Sequence, residues 1–534
     1  MDALTNFSTR HTAQNRQADP RQEVNSAGGY TFKVSTVDRL RRFLTLGTDG
    51  GTFYAGSAEL TEANAKVVLS MAANDGKTLV DTIVDVSTRG AAPKPNPALF
   101  ALAIAASHGD TDTRQAALAV LPQVARTGTH LFLFATYVEQ FRGWGRGLRR
   151  AVASWYTEKD PDRLAYQAVK YRQREGWSHR DLLRLSHPKT QDPAIRATFE
   201  WITRQTTGDH TPRLIEGFRK AQNATPAEAA QLVTDYGLSW EMLPTGALSF
   251  PSVWEALIDS GMPQTALLRQ LPRMSRIGIL DDRSVRSRVV SQLTDTDRLR
   301  KARVHPINVL VAARTYASGR SVLGSAHWDP NRYIVDALDS AFYSAFGAVE
   351  PSNKRTLLAL DVSGSMGFDT ISGMPLTPRE ASAALALVQM ATEPEVEVVG
   401  FTGGSLYRGL GGPGEVTPLS LSPRQRLDDA VHTVSNLPFG PTDCAAPVKY
   451  ALDNAFDIDT FVVYTDNQTW AGETHPHQAL RRYREKTGIN AKMAVVGMTA
   501  HHASIADPSD PGMLDIAGFD SAVPNLITEF ARGL

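Results

Sequence analysis

At about position 354 the hydrophobic pattern of this 534-residue chain changes period, and that change restricts the fold more than any other feature. Before it, from Pro97 to about Phe346, apolar residues recur at helical spacing in stretches such as NPALFALAIAAS, RQAALAVLPQVA, PAEAAQLVTDYG and PINVLVAARTYAS, broken by Gly, Pro and short polar turns. No fixed-period repeat counts the units, so the expectation is an all-α array of stacked helix pairs. After it, the strand-like runs TLLALDVS, VEVVGF, FVVYTD and AKMAVVGM alternate with the helical runs ASAALALVQMA, RLDDAVHTVSNL and QALRRYREK. That order predicts an α/β domain with a doubly wound, mostly parallel sheet. The boundary is placed at the polar stretch from Val349 to Lys354, which contains Pro351. Three segments follow: a flexible N-terminal piece over 1–20, a helical domain over 21–350 and an α/β domain over 351–534.

Charge separates the same two halves. The whole chain carries 56 basic and 56 acidic residues, yet up to position 350 there are 43 basic against 35 acidic, and beyond it 13 against 21. The helical half is therefore +8 and the α/β half −8, an asymmetry that points to an anionic partner for the first. No apolar run approaches the roughly 20 residues of a membrane helix, and the polar start MDALTNFSTRHTAQNRQADP has no signal-like apolar core. No membrane partner is expected. A single cysteine, Cys444, leaves no internal disulfide or cysteine-only metal site and fits a reducing, cytoplasmic setting.

The α/β half holds a cluster of oxygen ligands where such sheets place their sites, at the carboxyl ends of strands. TLLALDVS runs into Asp361, followed by Ser363 and Ser365. Thr442 lies in a loop ahead of a helix, and Asp466 ends FVVYTD. One carboxylate and two hydroxyls in D-x-S-x-S, joined by a threonine and a second aspartate, suit a hard divalent cation such as Mg²⁺. The simplest arrangement has Ser363, Ser365 and Thr442 touching the metal, with Asp361 and Asp466 holding its waters and supplying charge. Asp and Ser capping a helix is the alternative for the triplet alone. Enzyme sites fit poorly: Ser363 stands where a phosphoaspartate hydrolase would carry a second acid, and neither serine sits in G-x-S-x-G. His432 falls in a helical run, His475, His477, His501 and His502 are expected on surfaces or loops, and Cys444 reads as a small packing residue at a helix start. No catalytic residue is assigned.

The positive excess concentrates over 142–189, where twelve basic residues face five acidic ones. Arg142, Arg146 and Arg149 stand at i, i+4, i+7, as do Arg180, Arg184 and His187, while Lys170 and Arg174 are i, i+4, so each set is predicted to line one helix face. Arg150, Arg172 and Lys189 extend the cluster. Over 178–187 the reading is specific: Ser178 as N-cap with Asp181 in a capping box, Leu182 and Leu185 facing inward, and Pro188 ending the element. Any one set could be an ordinary solvated face; three within fifty residues, short of acids, favour a phosphate backbone. Trp144, Trp155, Tyr171 and Trp177 could stack on bases or belong to the core.

Longer matches carry a resemblance. NSAGGYTFKV (Asn25–Val34), RFLTLGTDGGTFY (Arg42–Tyr54), FALAI (Phe100–Ile104), KYRQREGWSHRDLLRLSHPK (Lys170–Lys189), KARVHPINVLVAARTY (Lys301–Tyr316), LDSAFYSAF (Leu338–Phe346), TDCAAP, YTDNQTWAGETHP and IADPSDPGMLDIAGFD resemble the Ro 60 kDa autoantigen family, and Asp361 with its partners resembles the metal-ion-dependent adhesion site of von Willebrand factor A domains. The resemblance implies a monomeric ring of HEAT-like repeats, the TROVE module, closed by an A domain. It implies Y RNA on the outer surface and single-stranded ends of misfolded or unprocessed noncoding RNA, ribosomal RNA precursors included, in the central hole. It also implies roles in RNA quality control and stress survival beside exoribonucleases such as polynucleotide phosphorylase. The family's RNA contacts fall on Lys170, Arg174 and His187, and its metal ligands on Ser363, Ser365 and Thr442 with Asp361 and Asp466. A departure is the short stretch near Glu216–Glu241, where animal members carry a long lysine-rich insert. Two other classes stay open: a cation-dependent protein-interaction module, and a metal-dependent nuclease, disfavoured because paired two-metal carboxylates are missing.

Overall fold

The change of period coincides with a change of packed unit. The protein's computed structural model describes residues 11–46, 65–92, 94–174, 176–302, 304–321, 324–346, 349–368, 376–403, 416–422, 425–435, 440–498, 503–518 and 522–533. Contacts divide the chain into a helical unit, Val68–Gly90 with Lys94–Ala345, and a second unit, Met1–Val67, Ala91–Pro93 and Phe346–Leu534.

The helical unit follows its local signals closely. NPALFALAIAAS becomes the helix Asn96–His108, apolar on every side and buried from Pro97 to Ala106, packed against Gly128–Phe141. Asp160 and Asp192 cap Pro161–Lys170 and Pro193–Arg204, each with Pro at the first helical position, where its missing N–H costs nothing. Pro226–Tyr236 ends at Gly237 in the left-handed region and packs against Arg213–Ala221 and Pro251–Asp259. RQAALAVLPQVA breaks in two, Thr111–Ala119 and Leu121–Val124, because Pro122 cannot donate to the preceding turn.

The second unit is built on a six-stranded sheet: β1 (Thr356–Asp361), β2 (Val396–Phe401), β3 (Val416–Pro418), β4 (Thr460–Thr465), β5 (Lys492–Gly497) and β6 (Met513–Ala517), in the order β6-β5-β4-β1-β2-β3. All neighbours are parallel except the β2–β3 edge pair. The four strands read from sequence are there. The short edge strands β3 and β6 and the helices Ala446–Asp453 and Val523–Arg532 are additions. β1 sits centrally and is buried throughout, which accounts for its unalternating apolar run.

The N-terminal segment departs from expectation. Residues 11–20, assigned to a flexible tail, are ordered against the α/β sheet unit: His11 meets the Thr474 hydroxyl at 3.0 Å, Thr12 N donates to Gln478 at 2.9 Å, and Gln14 is fully buried. Gln22–Val24 and Tyr30–Lys33 form an antiparallel hairpin, and the latter adds Ala503–Ser504 as a third strand. Arg42, almost fully buried, pairs with Asp515 at 2.6 Å. The described residues 21–46 therefore belong to the unit of the α/β sheet. Residues 1–10 and 47–54 lie outside the described residues.

Candidate functional site: a carboxylate–hydroxyl cluster and an exposed basic surface

Parallel strands deliver the first site. β1 ends at Asp361 and its neighbour β4 ends one residue before Asp466, so two carboxylates, both fully buried, come from adjacent strands at the carboxyl end of the sheet. Asp361 accepts from Ser363 N at 2.9 Å and from the Thr465 hydroxyl at 2.6 Å. Ser363 and Ser365 hydroxyls lie 3.3 Å apart, Ser365 hydrogen-bonds Asp466, and Gln468 N donates to Asp466 at 2.9 Å. Four of the five expected ligands thus form one hydrogen-bonded group. Thr442 is buried and reaches the segment after Asp466 through its carbonyl, which accepts from Trp470 N and Ala471 N, both at 3.1 Å.

Electrostatics make the cluster short of positive charge. Burial, then the Asp466 carboxylate, pushes Asp361 up to about 7, and burial raises Asp466 as well. Arg379, buried in the helix Pro378–Thr392, donates to the Val362 and Ser363 carbonyls at 2.5 and 3.0 Å, which pins the D-x-S-x-S loop by its backbone and leaves its hydroxyls available. Asp443 is already matched: Lys449 pairs with it at 2.8 Å, and Ala445 N and Gln14 Nε2 donate to it at 2.9 and 2.7 Å. Two desolvated carboxylates beside neutral hydroxyls are the donor set a hard divalent cation takes, so these residues fit Mg²⁺.

Of the groups set aside as non-catalytic, Cys444 packs as expected and two histidines do not stay on the surface. Cys444 is a core residue, its thiol pushed up by burial. His475 and His477, expected on the surface, are buried: His475 lies between the Arg16 carbonyl at 2.8 Å and the Gln22 amide at 3.2 Å, both from the N-terminal segment no local pattern could place. His501 and His502 lie outside the described residues.

The basic segment is exposed, but its helix faces are not those the spacing implied. Arg142 caps the end of Gly128–Phe141, half-buried with Nη1 on the Ala106 carbonyl at 2.6 Å, and the next helix starts at Arg146, because Gly143 and Gly145 interrupt the run. Arg146, Arg149 and Arg150 share that second helix and are exposed. Lys170 closes the helix Pro161–Lys170, whereas Arg174 sits in a two-stranded hairpin, Gln173–Arg174 with Trp177–Ser178, turned at Gly176 with φ of 81°. Lys170 is also spent internally. Its ammonium contacts the Tyr166 hydroxyl at 2.9 Å and Glu241 at 3.4 Å, with one-tenth of the side chain exposed.

The helix His179–Ser186 keeps its expected form. Ser178 and Asp181 make the capping box at 3.0 and 3.3 Å, and His187 ends the helix in the left-handed region at φ 46° before Pro188. Leu182 and Leu183 are buried, Leu185 half-buried. Arg180, Arg184, His187 and Lys189 are exposed, as are Arg172 and Arg174. Among the described residues none of the exposed arginines from 146 to 184 forms an ion pair with a carboxylate. The helix Arg146–Thr157 packs on His179–Ser186, so these charges occupy neighbouring elements. Trp155 is core, whereas Trp144 and Trp177 are half-buried with rings 5.6 Å apart. Sequence reasoning missed Arg219 and Lys220. They end the helix Arg213–Ala221 and, with Arg172 over the Phe218 ring at 5.3 Å, line a groove of about 780 Å³.

A helical unit joined to an A domain that carries a hydroxyl and carboxylate cluster defines the class of this protein, and comparison narrows it. The TROVE domain family matches residues 23–231 and 234–318, and the Ro60 vWA domain family matches 355–531. "RNA-binding protein RO60" of Deinococcus radiodurans is 43% identical over 97% of each chain, and its namesake in Caenorhabditis elegans is 36% identical over 96% of this chain and 90% of that one. The crystal structure of the Deinococcus radiodurans RO (RSR) protein matches with a TM-score of 0.71 at 42% identity, covering 93% of this chain and all of the other. The chain belongs to the Ro60 family.

Proposed function

We propose that this chain is an RNA-binding scaffold whose helical unit holds structured noncoding RNA by charge and shape, and whose A domain holds Mg²⁺ for a protein partner. The observation that carries the RNA reading is the exposed set Arg172, Arg174, Arg180, Arg184, His187 and Lys189, concentrated in one short stretch without ion-paired carboxylates among the described residues. Two relatives named as RNA-binding proteins support it. Following the family, the ligands are Y RNA on the outer basic surface and single-stranded ends of misfolded or precursor RNA in the hole of a helical ring. Polynucleotide phosphorylase is the expected processing partner, in RNA quality control and under stress. Catalysis is left to that partner.

In the A domain, Ser363, Ser365 and Thr442 would hold the cation, with Asp361 and Asp466 supplying charge. When bound, the ion offers a Lewis-acidic position that captures a carboxylate or phosphate from a partner. Salt titration tests the RNA reading. Affinity for a Y-like stem should fall linearly in log K against log salt, with a slope near −0.9 per phosphate neutralised. A flat response would remove the electrostatic surface from the account. For the A domain, a pulldown with and without Mg²⁺ and with Ser363→Ala should lose partners in both cases; partners indifferent to both would leave the cluster structural.

A further inference from the structure

A second basic groove lies well apart in sequence from the 142–189 segment. The helices Arg283–Thr294 and Arg332–Ser344 pack against each other, and their facing stripes enclose an open groove of about 730 Å³. Arg283, Arg286 and Ser287 line it from one side, at i, i+3, i+4; Tyr333, Asp336 and Ser340 line it from the other, at i, i+3, i+7. That volume is in the range of ~300–1,000 Å³ typical of clefts that take small ligands.

Its chemistry is unusual for a solvated helix pair. Tyr333 leaves 47% of its surface in solvent, among the most exposed large hydrophobic side chains described. Two guanidiniums approach that ring, Arg286 at 4.9 Å and Arg332 at 4.8 Å from its centre. Arg286 is fixed in place because its Nη1 donates to the carbonyls of Leu280 and Asp281 at 3.0 and 3.1 Å, whereas the exposed Arg332 is held to the Tyr333 hydroxyl at 2.9 Å. An exposed ring flanked by cations serves no evident packing purpose here. It is a surface on which a flat, electron-rich group stacks while an attached anion meets the guanidiniums.

We propose that this groove binds one segment of single-stranded RNA, with a base stacked on Tyr333 in the place of the displaceable Arg332, phosphate on Arg283 and Arg286, and Ser287 and Ser340 within the groove for ribose hydroxyls. Asp336 favours this ligand over an acidic peptide. A carboxylate-rich chain would meet repulsion there and leave the ring unused. The inference rests on the RNA reading above and adds a site for its single-stranded ligand, formed by residues outside the 142–189 stretch.

The experiment uses the full chain and two labelled probes in fluorescence anisotropy, a short oligoadenylate and a blunt-ended RNA duplex. Tyr333→Ala should weaken the oligoadenylate about ten-fold and leave the duplex unchanged, since the ring is exposed and stacking on one aromatic has that magnitude. Tyr333→Phe should retain binding, and Arg283→Glu should weaken it. Arg180→Glu with Arg184→Glu should show the reverse preference, losing duplex first. Oligoadenylate affinity unchanged in both Tyr333→Ala and Arg283→Glu overturns the groove alone. A wild-type chain that binds neither probe overturns the RNA reading with it. Displacement of oligoadenylate by poly-glutamate in a Tyr333-dependent manner would reassign the groove to an acidic protein.

Discussion

The basic surface of the helical unit and the carboxylate cluster of the A domain handle charge in opposite ways. In the first, guanidiniums stand in solvent on helix turns and a hairpin, with no ion-paired carboxylate among the described residues. In the second, Asp361 and Asp466 are buried at the ends of adjacent strands, their positions fixed by Ser363, Ser365 and Thr465. Exposed charges act over a Debye length, roughly 8–10 Å, and are screened by salt, so they attract any polyanion of suitable shape. Buried carboxylates respond only to what enters their shell, and geometry selects it. The two halves of the chain are thus suited to a long, forgiving ligand and a small, exacting one.

Charge reversal breaks this contrast most strongly. A variant with Arg174→Glu, Arg180→Glu and Arg184→Glu should lose about 100-fold or more in affinity for structured RNA, and its salt slope should flatten by about 0.9 for each phosphate contact removed. Asp361→Asn should leave that affinity untouched. Lys170→Ala tests the internal assignment: with its ammonium already on Glu241 and Tyr166, it should cost less RNA affinity than Arg174→Ala. Equal losses from the two would return Lys170 to the RNA surface.

The A domain should answer to metal and not to salt. Saturating Mg²⁺ at about 100 times its dissociation constant stabilises a folded domain by about 2.7 kcal/mol, and differential scanning fluorimetry should show the matching rise in Tm. Ser363→Ala and Asp361→Asn should abolish the rise. A Tm indifferent to Mg²⁺ in the wild-type chain would leave the cluster as a hydrogen-bonded strand terminus.

Much of this contrast was legible in the sequence, and the misses share a cause. The strand-end cluster could be read because parallel strands present their last residues together, so D-x-S-x-S and a later strand-final Asp are informative without tertiary knowledge. Helices such as Asn96–His108 and Pro226–Tyr236 carry their own start and stop signals. The face of Arg142 with Arg149 failed where glycines at 143 and 145 interrupt the helix, and that of Lys170 with Arg174 failed because the helix ends at Lys170 and the chain turns at Gly176 into a short hairpin, signals present but outweighed by the spacing. Lys170 and the buried histidines failed for another reason. Glu241 lies 71 residues from Lys170, and the Arg16 carbonyl 459 from His475. Strands of two to four residues, such as Tyr30–Lys33 on Ala503–Ser504, leave no period to read.

That N-terminal segment yields the next test of the contrast, since it belongs structurally with the A domain. The fully buried Gln14 amide donates to Asp443 and to the Thr474 carbonyl, both at 2.7 Å, and accepts from the Thr469 hydroxyl. Gln14→Ala removes these bonds and leaves their partners desolvated, a cost of about 1–3 kcal/mol. Urea denaturation followed by an A-domain probe should show it, and an unchanged midpoint would make the segment an ornament on the domain.

The smallest expected effect is acid sensitivity, and it can separate the units. His179 in the helical unit is wholly buried, held to the Tyr156 hydroxyl at 2.8 Å and near the Gln167 carbonyl, and burial lowers it to about 4; His477 in the A domain is likewise lowered to about 4 by burial. A histidine buried neutral binds fewer protons folded than unfolded, so its contribution is intact above the unfolded pKa of about 6.5 and is lost progressively as pH falls from there toward 4. At pH 5 each should cost on the order of 1–2 kcal/mol of folding free energy. His179→Gln should therefore lower stability at pH 7 yet flatten the pH dependence of the helical transition between pH 7 and 5, leaving that of the A domain in place. If both transitions keep their acid slopes in that variant, His179 is not the group that titrates, and the two units are coupled to protons through other residues.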